Sequence, residues 1–138
     1  MNREGREERE GGSADIEALA RIVVDAGLKV HKALGPGLLE SAYEHCLAYE
    51  LNARNVPVRR QVALPVVYDG VSLEAGFRID LLVADQIIIE VKAVEALSSL
   101  HEAQLLTYLR LSRLRLGFLM NFNVVLFRDG LKRRVLNL

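Results

Sequence analysis

The pattern of apolar and polar residues along the chain predicts two helices, a meander of strands, a third helix and further strands. Apolar residues recur at helical spacing from near Asp15 to a Gly-Pro-Gly break at residues 35–37, and again over 38–54. The period then changes to two, which is typical of strands. We expect a meander of strands 58–68, 71–83 and 87–93, a helix at 98–116, a fully buried strand at 117–122, and an edge hairpin of 124–127 and 131–135.

With the edge hairpin counted as one element, the order is α-α-β-β-β-α-β-β, which predicts an α/β fold in which a mixed central sheet is sandwiched between helices. The chain has 138 residues, of which 51% are hydrophobic, and this is enough for one compact domain. Residues 1–13 are charged and almost free of apolar residues. We therefore expect a disordered N-terminal tail at 1–13, followed by a single domain at 14–138.

Cysteine content and hydropathy narrow the class of protein. The single Cys46 excludes a disulfide framework and a cysteine-rich zinc site. No stretch of the sequence approaches the ~18 apolar residues of a membrane span. We therefore expect a cytoplasmic protein without a membrane partner.

The charge balance argues against a protein that coats nucleic acid by bulk charge. Lysine and arginine total 18, and aspartate and glutamate also total 18, so the formal net charge is zero. The charges are unevenly distributed, however, and residues 101–138 carry seven basic and two acidic side chains. This segment would offer a local basic face or, equally, an ordinary solvated surface.

Two acidic residues and a lysine interrupt the apolar strands on either side of one predicted turn. The strand 87–93 is apolar except for Glu90 and Lys92, which share one face because side chains alternate along a strand. If the turn consists of residues 84–86, Asp80 of the preceding strand lies directly opposite Glu90. Their Cβ atoms would then be ~5 Å apart, and like charges so placed destabilise a sheet.

A divalent cation between Asp80 and Glu90 would remove this repulsion, and hard carboxylate oxygens suit Mg²⁺ or Mn²⁺. Lys92, one pleat further along, would be placed to hold a water or to stabilise charge on a phosphate. Two alternatives remain open. A two-residue turn would put the two acids on opposite faces, and a solvated edge strand would make Glu90 and Lys92 an ordinary surface pair.

The spacing of these residues resembles the signature of a known group of enzymes. Asp80 with residues 90–92 (EVK) looks like the motif of the PD-(D/E)XK nuclease superfamily, which implies a restriction-endonuclease-like three-layer α/β/α fold. Residues 37–43 (GLLESAY) are similar to the GxxExxY motif of a family of small bacterial and archaeal proteins within that superfamily. Residues 101–108 (HEAQLLTY) and the strand at 117–121 also resemble that family.

The resemblance covers about residues 15–135 and implies roles for the matching side chains. Ile79 stands where the superfamily often has proline, at a position that is loose. Glu40 matches a helix-borne acid that completes the metal site, although an acid there also complements a helix N-terminus. The implied catalytic residues are Glu40, Asp80, Glu90 and Lys92, and the implied ligands of Mg²⁺ or Mn²⁺ are Glu40, Asp80, Glu90 and the carbonyl of Val91.

Three further residues, Tyr43, Gln104 and Tyr108, are predicted to bind substrate. Gln104 and Tyr108 resemble a Gln-x-x-x-Tyr element that lies beside the active site in some members of the superfamily, and Tyr43 would orient Glu40 or a phosphate. Tyr43 alternatively packs against the sheet as a partly buried side chain. We expect His101 to cap or satisfy polar groups at the end of the sheet rather than to bind metal, and we expect Glu44 to be solvated.

The resemblance implies a Mg²⁺-dependent nuclease that hydrolyses phosphodiester bonds in nucleic acid, with DNA as the expected substrate. Because the chain offers no recognition helix or added DNA-binding domain, we expect the chain by itself to bind DNA weakly. We also expect a homodimer or another protein as partner. The alternative is a non-catalytic module that keeps the nuclease fold and binds nucleic acid or protein.

Overall fold

A computed structural model describes the backbone of residues 2–74 and 76–137 and the side chains of residues 15–74 and 76–137. The side chains of the predicted tail at 1–13 lie outside the described residues, although the first helix begins at Asn2 rather than near Asp15. The tail and the domain boundary stay predictions. The helices are α1 (Asn2–Leu34), α2 (Glu40–Ala53), α3 (Ser99–Ser112) and α4 (Phe127–Gly130), and the strands are β1 (Val58–Ala63), β2 (Val66–Tyr68), β3 (Val71–Leu73), β4 (Arg78–Val83), β5 (Ile87–Lys92), β6 (Leu116–Asn121) and β7 (Leu131–Val135).

A five-stranded mixed sheet with the order β1-β4-β5-β6-β7 forms the centre of the fold. Strands β5 and β6 are parallel and joined through α3, whereas the other neighbours are antiparallel. Helices α1 and α2 cover one face of the sheet and α3 covers the other. The predicted three-layer α/β/α architecture with a mixed central sheet is therefore confirmed.

Alternation along β5 divides the interior into two apolar cores. Ile87, Ile89 and Val91 pack with α1 and α2, whereas Ile88 packs with α3. Strand β6 is buried at every position, as predicted for a strand covered on both faces. Burial of each large apolar side chain of these two strands stabilises the fold by about 1.5–3 kcal/mol. Strands β5 and β6 therefore form the stable centre of the sheet.

The structure shortens the third predicted helix and interrupts two predicted strands. Helix α3 ends at Ser112 rather than at residue 116, because Arg113 adopts a left-handed conformation with φ of 58°. The predicted strands 58–68 and 71–83 are each broken, and Pro65, which lacks an N–H group, lies at the first break. Their distal parts, β2 and β3, form a separate two-stranded sheet over residues 66–73, which we call the hairpin arm.

The predicted strand at 124–127 is wrong. Residues 122–126 form a loop, and Phe127 begins the short helix α4, which ends at Gly130. Packing explains the difference, because Phe127 is buried beside the ring of Phe122 and His31 binds the carbonyl of Val124 at 2.7 Å. Tertiary contacts thus override the strand propensity of this apolar segment. The final strand at 131–135 is confirmed as β7.

Within residues 2–74 and 76–137, no helix has both the length and the apolar character needed to cross a membrane.

Candidate active site

The open end of the β4–β5 hairpin carries the two acids that the sequence places opposite each other. Val83 pairs with Ile87, and the backbone ladder continues until Leu81 pairs with Ile89. This register confirms the three-residue turn at 84–86. The next position along the two strands brings Asp80 to Glu90.

At this position the carboxylates take the place of backbone partners. The N–H of Asp80 donates to Oε1 of Glu90 at 3.3 Å, and the N–H of Val91 donates to Oδ2 of Asp80 at 2.9 Å. Because each carboxylate accepts from the main chain of the opposite strand, both lie in the gap between β4 and β5. The structure therefore brings Asp80 and Glu90 together.

Burial and mutual repulsion make this pair difficult to ionise fully. Glu90 is 4% exposed, and burial, followed by the charge of Asp80, raises the pKa of Glu90 to about 9. Burial also raises the pKa of Asp80, although the N–H of Val91 opposes the rise. The two carboxyl groups are therefore more easily protonated than ordinary surface acids, and the shift is in the same direction for both.

Lys92 is the last residue of β5, two positions beyond Glu90 on the same face of the strand. It is partly buried, and its charge opposes the rise in the pKa of Asp80 and Glu90 that burial causes. The ammonium group therefore lies within electrostatic reach of both acids. Lys92 lies where the gap between β4 and β5 opens, at the end of β5, and its side chain is more exposed to solvent than that of Glu90.

Helix α2 brings a third carboxylate to the same end of the sheet. Glu40 is the first residue of α2, and its Oε1 accepts a hydrogen bond from the N–H of Ala93 at 3.3 Å, just beyond β5. The side chain is exposed. A recess of about 190 Å³ is lined by Glu40, Ser41, Glu44, Gln61, Asp80 and Val91.

Glu44 also belongs to this site, and the prediction that it is solvated is wrong. The residue is 5% exposed, and its two oxygens accept hydrogen bonds from Arg60 at 2.8 Å and from Gln61 at 2.6 Å. The spacing of four residues from Glu40 places both acids on one face of the helix. That spacing was the sequence signal for placing Glu44 in the site. No pattern in the sequence of β1 indicated that Arg60 and Gln61 would bind Glu44.

Tyr43 faces the core rather than the recess. Its hydroxyl donates to the carbonyl of Gly35 at 2.6 Å and accepts from the N–H of Leu38 at 3.1 Å. Its ring is fully buried and stacks on Phe122, with centroids 4.6 Å apart. These contacts favour the packing role over substrate binding, since Tyr43 fixes the Gly-Pro-Gly loop that leads to Glu40.

Helix α3 brings two of the predicted substrate-binding residues to the acid pair. Burial, and after it the charges of Glu90 and Asp80, raise the pKa of Tyr108, so its hydroxyl lies within electrostatic reach of both acids. Gln104, one turn earlier, lies close enough to that hydroxyl to oppose the rise in its pKa. The third residue of the motif, His101, lines the same cavity as Gln104 and Tyr108, and it forms a capping box with Ser98 at the start of α3.

The acid pair fits a magnesium-type cation in its donor chemistry. Among the side chains of residues 15–74 and 76–137, no group of three or more histidine, cysteine, aspartate or glutamate residues forms a ready metal cage. Mg²⁺ is commonly bound through only one or two carboxylates, with waters and substrate phosphates completing the shell. Asp80 and Glu90 provide those two carboxylates, and a cation would offset the burial and the repulsion that raise the pKa of Glu90.

The basic C-terminal segment is partly neutralised within the fold. Arg133 forms an ion pair with Glu17 at 2.6 Å, and Arg134 pairs with Glu102. Strand β7, which carries both arginines, is an edge strand, and charged residues there discourage pairing with other chains. Part of the local positive charge predicted for residues 101–138 is therefore used in ion pairs within the fold.

Sequence comparison agrees with the fold. A family model of the PD-(D/E)XK nuclease superfamily matches residues 17–134, and the chain belongs to that superfamily. No curated protein and no solved structure matches the chain significantly. The narrower likeness to the GxxExxY proteins stays a prediction.

Proposed function

We propose that the protein is a metal-dependent nuclease that hydrolyses phosphodiester bonds in nucleic acid, with DNA as the substrate and Mg²⁺ or Mn²⁺ as the cofactor. One observation carries this proposal. Asp80 and Glu90 meet in the gap between β4 and β5, where burial and repulsion raise the pKa of Glu90 to about 9. Strongly perturbed acids in a recess are typical of functional sites, and membership of the superfamily supports nuclease activity.

The proposed roles follow from the position of each group. Asp80 and Glu90 would hold the cation, with Glu40 and the carbonyl of Val91 as the further ligands that the superfamily motif implies. When bound, the cation supplies Lewis acidity and lowers the pKa of a water. Lys92, at the mouth of the gap, would orient that water or balance charge on the phosphate. Gln104 and Tyr108 would contact the nucleic acid beside the acid pair.

The proposal also covers the molecules with which the chain interacts. We propose weak binding to DNA by the isolated chain and a homodimer or another protein as partner. The hairpin arm supports a partner, because Val67, Tyr68 and Val71 are all more than half exposed there. An isolated two-stranded sheet is marginal in water, so a second surface that covers the arm would stabilise it. Membership of the GxxExxY proteins and a cytoplasmic location belong to the same proposal.

The proposal is tested by incubating the protein with supercoiled, linear and single-stranded DNA and with RNA, in Mn²⁺ and in EDTA. We expect cleavage of DNA in Mn²⁺ only. The variants Asp80→Ala, Glu90→Ala and Lys92→Ala should each lose at least about 100-fold in rate, since even an indirect change at a metal site costs 10–100-fold. Light scattering of the same samples measures the oligomeric state.

Two exposed residues outside the recess provide matched controls. Glu74→Ala removes an acid from the segment after the hairpin arm, and Lys32→Ala removes a lysine from the last turn of α1. Both variants should cleave like the wild type. Equal cleavage by wild type and Asp80→Ala would identify a contaminating nuclease. Binding of nucleic acid without cleavage in either metal would favour the non-catalytic module.

A further inference from the structure

Gln61 holds an unusual backbone conformation inside a strand. Its φ is 53°, in the left-handed region that residues other than glycine, asparagine and aspartate rarely adopt. The residue lies in the middle of β1, at the position that faces Asp80 between the paired positions of β1 and β4. Strained backbone of this kind costs free energy and tends to occur at functional sites.

The conformation of Gln61 changes which way β1 presents its side chains. In a regular strand, successive side chains point to opposite faces. Here Arg60 and Gln61 are consecutive, yet both donate hydrogen bonds to Glu44 of α2. In addition, Val58 packs in the core beneath α1 and α2, whereas Val62 packs in the core beneath α3. Because they are four positions apart, the two side chains would share one face in a regular strand.

Strand β4 changes faces at the same level of the sheet. Leu81 packs with α1 and α2, whereas Ile79, two residues earlier, packs with α3. Asp80 lies between them, so its side chain leaves the normal alternation and enters the gap beside β5. The distortion at Gln61 and the placement of the Asp80 carboxylate therefore occur together.

The amide of Gln61 connects two carboxylates. Its Nε2 donates to Oε1 of Glu44 at 2.6 Å and to Oδ1 of Asp80 at 3.3 Å. Glu44 is itself fixed, because it is buried and Arg60 binds its other oxygen at 2.8 Å. Asp80 is thus held at one oxygen by Gln61 and at the other by the N–H of Val91.

We propose that Gln61 is a positioning residue for the nuclease site, which uses backbone strain to hold its amide between Glu44 and Asp80 and so orients Asp80 toward Glu90. With both oxygens held, the Asp80 carboxylate cannot turn away from the gap. This inference rests on the proposed function, because orientation of Asp80 has a purpose only if that residue binds the cation or the substrate.

The experiment compares Gln61→Gly with the wild type by Mn²⁺ calorimetry, cleavage of DNA in Mn²⁺, and thermal unfolding in EDTA. Glycine relieves the backbone strain but removes the amide. We expect a dissociation constant for Mn²⁺ that is about 10-fold weaker and a similar fall in cleavage rate. The Tm should stay within about 2–4 °C of the wild type, because glycine adopts positive φ at no steric cost and this gain offsets the lost hydrogen bond to Glu44.

Ala84→Gly is the matched control, since Ala84 has a φ of 50° at the turn end of the same hairpin and lies outside the recess. It should raise the Tm, with Mn²⁺ affinity and cleavage unchanged.

The outcomes separate this inference from the proposed function. If wild type binds Mn²⁺ and cleaves DNA, and Gln61→Gly does both equally well, the positioning role is wrong while the nuclease proposal stands. If Gln61→Gly loses stability and Mn²⁺ affinity together, Gln61 is merely structural and the inference is also overturned. A wild type that neither binds Mn²⁺ nor cleaves overturns both.

Discussion

The two ends of the β4–β5 hairpin consist of the same strands but are held together in different ways. At the turn end, apolar pairs such as Val83 with Ile87 and Leu81 with Ile89 are buried on a regular backbone ladder. At the open end, Asp80 and Glu90 replace the ladder with hydrogen bonds from their carboxylates. The turn end therefore stabilises the fold, whereas the open end carries buried charge that destabilises it.

This contrast distinguishes the end of the hairpin that stabilises the fold from the end that carries the candidate site. A sheet optimised for stability would continue the apolar pairs through position 80 and position 90, because burying a carboxylate beside another one is unfavourable. The chain instead has both acids at these positions, and Asp80 shares its recess with Glu40 and Glu44. The comparison therefore predicts that substitutions at the two ends will have opposite effects on stability.

The largest expected effect is at the turn end. Ile89→Ala removes a fully buried side chain from the core beneath α1 and α2. The free energy of unfolding should fall by about 2–5 kcal/mol, since the substitution loses apolar burial and leaves a cavity. Urea unfolding at pH 7 measures this loss. The cleavage rate per folded molecule should stay near the wild-type value, and a loss below about 1 kcal/mol would mean that this end is not the rigid scaffold.

At the open end, Glu90→Gln should stabilise the protein and abolish its activity. The neutral amide has nearly the shape of the protonated acid and avoids the cost of binding a proton on folding. Because the pKa of Glu90 is raised to about 9 from 4.5, the gain at pH 7 should be up to about 3 kcal/mol. Urea unfolding in EDTA measures the gain, and a destabilised Glu90→Gln would contradict the account of the open end.

The pH dependence of that gain provides its control. An acid whose pKa is raised by folding contributes stability below its unfolded pKa, and this contribution is lost as pH rises through the folded value. Wild type should therefore lose stability relative to Glu90→Gln as pH rises from about 4.5 to about 9. At pH 4.5 the two proteins should be nearly equal, and a constant difference across this range would exclude titration of Glu90 as its cause.

A somewhat smaller effect should come from the cation itself. Binding of Mn²⁺ to the folded state at 100 times its dissociation constant would stabilise wild type by about 2–3 kcal/mol. Glu90→Gln should gain little, because it lacks one of the two carboxylates. Thermal unfolding with and without Mn²⁺ checks this, and Glu74→Ala should respond like wild type. Equal stabilisation of all three proteins would place the cation somewhere other than the acid pair.

The open end was partly predictable because it depends on local rules. Counting from the turn at 84–86 placed Asp80 opposite Glu90, and alternation placed Lys92 on the face of Glu90. The interruption of apolar strands by charge was a second clear signal. The three-layer fold was predictable for a similar reason, since the hydrophobic periods of β5 and α3 survive in the structure.

The remaining features depend on contacts between distant segments. Glu44 is buried because Arg60 and Gln61 reach it from β1, and nothing near Glu44 in the sequence announces those donors. The left-handed backbone of Gln61 could not be foreseen, because no glycine or asparagine marks it. The loop before α4 resembles a strand in sequence, but the packing of Phe127 decides its conformation.

The smallest expected effect tests how far the scaffold extends into α2, where Tyr43 lies one residue before Glu44. The Tyr43 hydroxyl joins Gly35 to Leu38, and its removal in Tyr43→Phe leaves both backbone groups without that partner. The free energy of unfolding should fall by about 1–2 kcal/mol at pH 7, while the stacked ring is retained. Cleavage per folded molecule and the dissociation constant for Mn²⁺ should change less than twofold, because the hydroxyl points away from the recess. A large loss of DNA affinity with unchanged stability would instead show that the Tyr43 hydroxyl contacts the substrate. Tyr43 would then belong to the site rather than to the scaffold.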